Sequence, residues 1–124
     1  MSLRVLLVED SHADAAIAER ALRVRDGAFE VTITGSLDAG IGRLAEGFDA
    51  ILLDLSLPDS DGAETVKRMR AAALRLPIVV LTSAEGDEIA DRCLVAGADA
   101  YRQKGHLAPT ELGEVLTRAI EKGH

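Results

Sequence analysis

Five side chains stand out for the chemistry they could do: the carboxylates of Glu9, Asp10 and Asp54, the hydroxyl of Thr82 and the amine of Lys104. Three carboxylates brought together repel one another unless a cation sits among them. Oxygen ligands without histidine or thiolate select a hard ion, and magnesium is the natural one. Beside a lysine, such a centre suits phosphoryl transfer: metal and ammonium neutralise phosphoryl oxygens while a carboxylate attacks. Taken singly, each residue has a plainer reading. Acids after strands are often solvated or cap helices, Thr82 is a natural helix cap, and Lys104 is an ordinary surface charge. Their joint placement carries the argument.

That placement follows from the elements around them. Ile51-Leu52-Leu53 is an apolar run without alternation, which suits a central parallel strand buried on both faces, and Asp54 follows it directly. Pro58-Asp59-Ser60-Asp61-Gly62 then has the composition of a loop. Arg4–Val8 reads as a first strand, ended by Glu9 and Asp10; Phe29–Thr34 as a less buried second one. Ile78–Leu81 is a fourth, ended by Thr82 and Ser83, and Ala98–Arg102 a short fifth, followed by Gln103-Lys104-Gly105. Between them the spacing predicts helices over 13–24 (apolar positions Ile17, Ala21, Leu22 and Val24, stopped by Asp26-Gly27), from Ser36 to Gly47, over 62–74 and over 86–96. A last helix starts at Pro109 with the stripe Leu112, Val115, Leu116, Ala119 and Ile120. Strand and helix alternate about five times, which predicts a parallel sheet with helices on both faces. The carboxyl ends of parallel strands share one edge, so the five chemical residues converge there.

The chain has 124 residues and reads as one domain over 1–124, although Met1-Ser2-Leu3 and Gly123-His124 could be remnants of an expression vector. Aromatics are only 2%, so aliphatic side chains must fill the core. A net charge of −7 argues against direct binding to nucleic acid or to an anionic membrane. The single cysteine, Cys93, excludes an internal disulfide and a cysteine-based zinc site, and its helical context with Ile89 and Leu94 suggests a semi-buried thiol. No run is long enough to span a membrane and no signal peptide is visible, so the cytoplasm is the expected compartment.

The matching stretches are Val8-Glu9-Asp10, Leu52-Leu53-Asp54 with Leu57-Pro58, Asp61-Gly62, Pro77 to Thr82, Ala96-Gly97-Ala98, and Tyr101 with Lys104. Together they resemble the receiver domain of two-component response regulators over essentially the whole chain. The resemblance implies a flavodoxin-like (βα)5 fold, α/β in class, with strand order 2-1-3-4-5. It implies that Asp54 accepts a phosphoryl group from a phosphohistidine of a sensor histidine kinase or histidine phosphotransfer protein. Asp10 and Asp54 would hold Mg2+ directly with the backbone carbonyl of Ser56, and Glu9 mainly through water. Lys104 would pair with the phosphoryl group, the Thr82 hydroxyl would move to bond it, and Tyr101 would swing inward behind it. The phosphorylated surface would act on a downstream protein or a fused output domain. Phosphorylation and dephosphorylation would be self-catalysed, without turnover of an external metabolite.

One departure is marked: the family usually has proline after this lysine, often in a cis peptide, and here Gly105 stands. Without proline a trans Lys104–Gly105 bond is expected, with a more mobile segment from 105 to 108. Two rivals remain. A phosphohydrolase with an aspartate nucleophile commonly wants a second acid two residues on, where this chain has Ser56. An interaction module that works without phosphorylation would not need the intact acids, Thr82 and Lys104. Gly40-Ile41-Gly42-Arg43-Leu44-Ala45 matches a dinucleotide-binding pattern but lies inside a helical stretch, not in the turn after a strand. His12 and His106 read as loop residues.

Overall fold

The computed structural model describes residues 2–24, 27–108 and 110–123. The strands are β1 (Leu3–Val8), β2 (Phe29–Thr34), β3 (Ala50–Leu53), β4 (Ser56–Leu57), β5 (Ser60–Asp61), β6 (Ile78–Thr82) and β7 (Ala100–Gln103). The helices are α1 (His12–Leu22), α2 (Leu37–Arg43, prolonged by a 3-10 turn over Leu44–Glu46), α3 (Ala63–Ala72), α4 (Asp87–Ala96) and α5 (Glu111–Lys122). Five strands form one parallel sheet in the order β2-β1-β3-β6-β7. Counted among those five, this is the expected order 2-1-3-4-5.

Side-chain alternation along the inner strands divides the core into two layers. Val5, Leu7, Leu52, Val79 and Leu81 point to α1 and α5, where Ala15, Ala18, Leu22, Leu112 and Leu116 meet them. Leu6, Val8, Ile51, Leu53, Ile78 and Val80 point the other way, toward Leu37 of α2, Val66 and Met69 of α3, and Cys93 of α4. Burying each such aliphatic side chain stabilises the fold by about 1.5–3 kcal/mol. The inner strands therefore have no polar face at all, which is why they read as unbroken apolar runs. Gly40 in the misplaced dinucleotide pattern has a packing role. A Cβ there would lie 2.8 Å from Val8 Cγ2, so glycine lets α2 rest directly on β1.

Several boundaries differ from expectation. Alanines, not Ile17, seat α1: Ala15, Ala18 and Leu22 are buried, whereas Ile17 is 67% exposed, and Val24 lies beyond the helix end. Cys93 is fully buried, not semi-buried, and Leu94 is exposed. The third helix stops at Ala72, two residues early, and Thr82 belongs to β6 itself. The expected stop at Asp26 and start at Pro109 fall outside the described residues. The stretch read as a plain loop after Asp54 contains a small antiparallel hairpin, β4 against β5, turning at Pro58-Asp59. The Asp59 carboxylate fastens that hairpin to the sheet's flank, accepting 2.9 Å bonds from the backbone N–H groups of Leu37 and Asp38 at the start of α2. Those two bonds hold its carboxyl below the usual range.

Arg70 explains the end of α3. It shares a helical spacing with Val66 and Met69 but is not core. Its guanidinium donates to the carbonyls of Gly97 (2.7 Å), Ala73 (2.9 Å) and Leu76 (2.7 Å), and pairs with Asp99 at 2.9 Å. One side chain thus satisfies the carboxyl-terminal carbonyls of two helices and ties them to the start of β6 and β7. Arg70→Ala should lower stability by about 2–3 kcal/mol, since it orphans several half-buried acceptors at once. Urea unfolding of the variant against the parent chain measures this.

Candidate functional site

The sheet delivers the chemical residues to one edge through its own ladder. Three of those ladder bonds run one residue past the strands. The Glu9 N–H donates to Thr34 O at 2.9 Å, and the Asp54 N–H to Val8 O at 3.0 Å. The Lys104 N–H likewise donates to Thr82 O at 2.7 Å. Backbone positions around the site are thus fixed by regular hydrogen bonding, although Glu9, Asp54 and Lys104 lie outside the strands proper.

Glu9, Asp10 and Asp54 each present a carboxylate oxygen within 4.8 Å of the others. Glu9 and Asp54 are buried and Asp10 is exposed, so the cluster opens to water on one side. Asp54 Oδ1 accepts from the Leu55 N–H at 2.8 Å. Lys104 Nζ donates to Glu9 Oε1, to Asp14 Oδ2 at 2.9 Å and to Asp54 Oδ2 at 3.4 Å. Asp14 was not singled out in the sequence. It does not follow a strand; it sits in the first turn of α1, above the strand ends. Its one signal was an acid following the helix cap Ser11, whose Oγ accepts from the Asp14 N–H at 3.2 Å.

The other expected residues lie nearby but are differently engaged. Thr82 is fully buried, and its Oγ1 accepts a long 3.4 Å bond from the Ala84 N–H. Tyr101 is half-buried, packs on the α3–α4 side of the core and donates its hydroxyl to Ala84 O at 2.7 Å. The two proposed switch residues therefore grip the same residue in the loop between β6 and α4. Ser56 lies in β4, two residues past Asp54, with its side chain exposed. The Lys104–Gly105 peptide is trans, as expected without proline. Gly105 has φ +83°, a left-handed conformation that proline cannot adopt.

The donor set fits a hard cation. Its ligands are all oxygen, and Glu9 Oε2 is buried with no hydrogen-bond partner. An orphaned carboxylate oxygen beside two further acids is the arrangement a divalent ion would complete. Burial, reinforced by Asp54 and opposed by Lys104, pushes the Glu9 carboxyl up to about 8. Burial alone would lower the Lys104 pKa, but bonding to Glu9 and Asp14 outweighs it and pushes it up to about 12. Lys104 holds the Asp14 carboxyl below its ordinary value.

Glu9 couples folding to the uptake of a proton. Its folded value, about 8, lies above the ordinary 4.5, so the folded protein keeps a proton that the unfolded chain releases. In the presence of a chelator this group's contribution to stability should be full below pH 4.5 and decline until about pH 8. Glu9→Gln should remove that part of the decline. Urea midpoints measured across this range in both proteins test it.

Comparison with known proteins agrees with this geometry. The sequence profile of the response regulator receiver domain matches residues 5–117. The cell cycle response regulators CtrA of Brucella ovis and Brucella anthropi are each 40% identical over 130 aligned residues, covering 98% of this chain and 53% of theirs. The chain thus spans about half the length of these relatives. Among solved structures, a CheY-like response regulator receiver domain protein from Methanospirillum hungatei superposes with a TM-score of 0.85 at 25% identity, covering 99% of this chain and 97% of its own. The receiver domain of the sensor histidine kinase PA1611 from Pseudomonas aeruginosa, which holds a magnesium ion in its active-site cleft, superposes with a TM-score of 0.80 at 32% identity, covering 98% and 99%. With the strand order, the acid trio and the lysine in place, the chain belongs to the response regulator receiver domain family.

Proposed function

We propose that this chain is a phosphoryl acceptor. The Asp54 carboxylate attacks the phosphorus of a phosphohistidine on a sensor kinase or phosphotransfer protein. A P–O bond to Asp54 forms, the P–N bond to the imidazole breaks, and the leaving imidazole takes a proton. The observation that carries this reading is the cluster itself: Glu9, Asp10 and Asp54 within 4.8 Å, with Lys104 Nζ 3.4 Å from Asp54 Oδ2. Magnesium, when bound, supplies the positive charge that neutralises the phosphoryl oxygens. Asp10 and Asp54, Glu9 directly or through water, and the Ser56 carbonyl are the groups that would hold it. The Leu55 N–H keeps the Asp54 carboxylate in its rotamer, and Lys104 provides an ammonium for the transferred group.

The output is a change of surface. New phosphoryl oxygens attract the Thr82 hydroxyl, whose present bond to Ala84 is long and weak. Moving that hydroxyl disturbs the loop to which Tyr101 is anchored. If Asp54 phosphorylation favours one of two packings of this loop and α4, the population shifts. The surface so altered would address a downstream protein or an output domain in the same polypeptide.

Incubation with magnesium and acetyl phosphate, followed by intact-mass spectrometry, should show one adduct, lost in Asp54→Asn without loss of fold. Undiminished acyl phosphate in that variant, or rapid turnover of many phosphoesters, would overturn the assignment. Thr82→Ala should still accept the phosphoryl group but fail to transmit it. Amide shifts around Tyr101, with and without a phosphoryl mimic, would then change much less than in the parent chain.

A further inference from the structure

Lys104 has more carboxylates around it than the phosphoryl chemistry needs. An ammonium has three N–H donors. Here they face Glu9, Asp14 and Asp54, and the bond to Asp54, at 3.4 Å, is the longest of the three. A phosphoryl group on Asp54 requires a donor from Lys104, so one existing bond must yield. Glu9 cannot easily provide it: its side chain is only 2% exposed, so losing the ammonium would leave a buried carboxylate without its partner. Asp14 can. Its side chain is 40% exposed, it comes from a different element, and water reaches it once the lysine leaves. Its side chain takes no part in capping α1, which uses the Asp14 backbone N–H instead.

We infer that Asp14 is a positioning residue that holds Lys104 toward α1 and competes with the phosphoryl group for its ammonium. The inference rests on the receiver reading of Asp54. Asp14 makes no hydrogen bond to Asp54, and its ion pair is with the lysine, through which it acts. The two states differ in which anion the ammonium serves. Unphosphorylated, Lys104 bridges Glu9 and Asp14; phosphorylated, it exchanges Asp14 for a phosphoryl oxygen. Asp14 therefore weakens the phosphorylated state by the strength of one partly exposed ion pair, worth about threefold in an equilibrium constant.

The test is the affinity for beryllofluoride, a phosphoryl mimic, at saturating magnesium, followed by amide shifts in the whole chain. Asp14→Asn should bind it about threefold more tightly than the parent. Asp14→Glu keeps the charge within reach of Lys104 and should stay near the parent value. In a Lys104→Gln background, where there is no ammonium to hold, Asp14→Asn should change nothing. Three results would each sink the inference: no gain in Asp14→Asn, the same gain in Asp14→Glu, or the same gain without Lys104. The last would mean that Asp14 acts merely by its field on an anion. If the parent chain binds no beryllofluoride and forms no acyl phosphate, the receiver reading fails and takes this inference with it. A parent that binds while Asp14→Asn shows no gain refutes the role of Asp14 alone.

Discussion

The single ammonium of Lys104 is what allows the acidic edge of this sheet to exist. Glu9, Asp14 and Asp54 come from β1's end, α1 and β3's end, and meet at one Nζ. Like charges this close repel strongly wherever the site is buried, as it is at Glu9 and Asp54. One positive charge cannot balance three negative ones, and Asp10 adds a fourth nearby. Burial first, and the neighbouring Asp54 second, raise the pKa of Glu9 within this cluster. A proton relieves the imbalance in part, and a divalent cation does so more fully. The fold thus carries an excess of negative charge at its strand ends, and the binding of a hard cation is the natural release of that excess.

What could be read from the sequence was whatever a parallel sheet dictates by itself. The runs Ile51–Leu53 and Ile78–Leu81 are apolar because both faces are covered, and the residues that follow them must lie on one edge. That reasoning reaches Asp54, Thr82 and Lys104 without further knowledge. It does not reach Asp14, because no strand ends there. An acid in the first turn of a helix is ordinarily explained by the helix dipole. Nor does it reach the hairpin at 56–61. Two-residue strands carry no periodicity, and the Asp59 bonds that hold the hairpin are made to a helix more than twenty residues away in the chain. Ile17 marks a related limit: it helps to reveal the helix, but hydrophobicity alone does not say which side is seated, and close packing on the sheet selects the smaller Ala15 and Ala18.

Gly105 shows how a departure from a family pattern can be structural in its own right. With φ at +83°, the turn after β7 uses a backbone region closed to proline. The glycine is therefore not a vacant proline site; the loop leaves the sheet by another path. Lys104 still reaches the acids because its stem is long and its N–H remains in the ladder with Thr82. Leu107 and Ala108, further along the same loop, line an apolar groove of about 610 Å³ together with the exposed Ile17 of α1 and Val24 just past its end.

Ala84 has no functional group, yet its main chain is where the site and the surface meet. Its N–H donates to Thr82 and its carbonyl accepts from Tyr101. The buried hydroxyl and the half-buried ring thus meet at the two sides of one peptide residue. Of the two anchors the tyrosine's is the firmer, at 2.7 Å against 3.4 Å, so the loop is held mainly from the side of the ring.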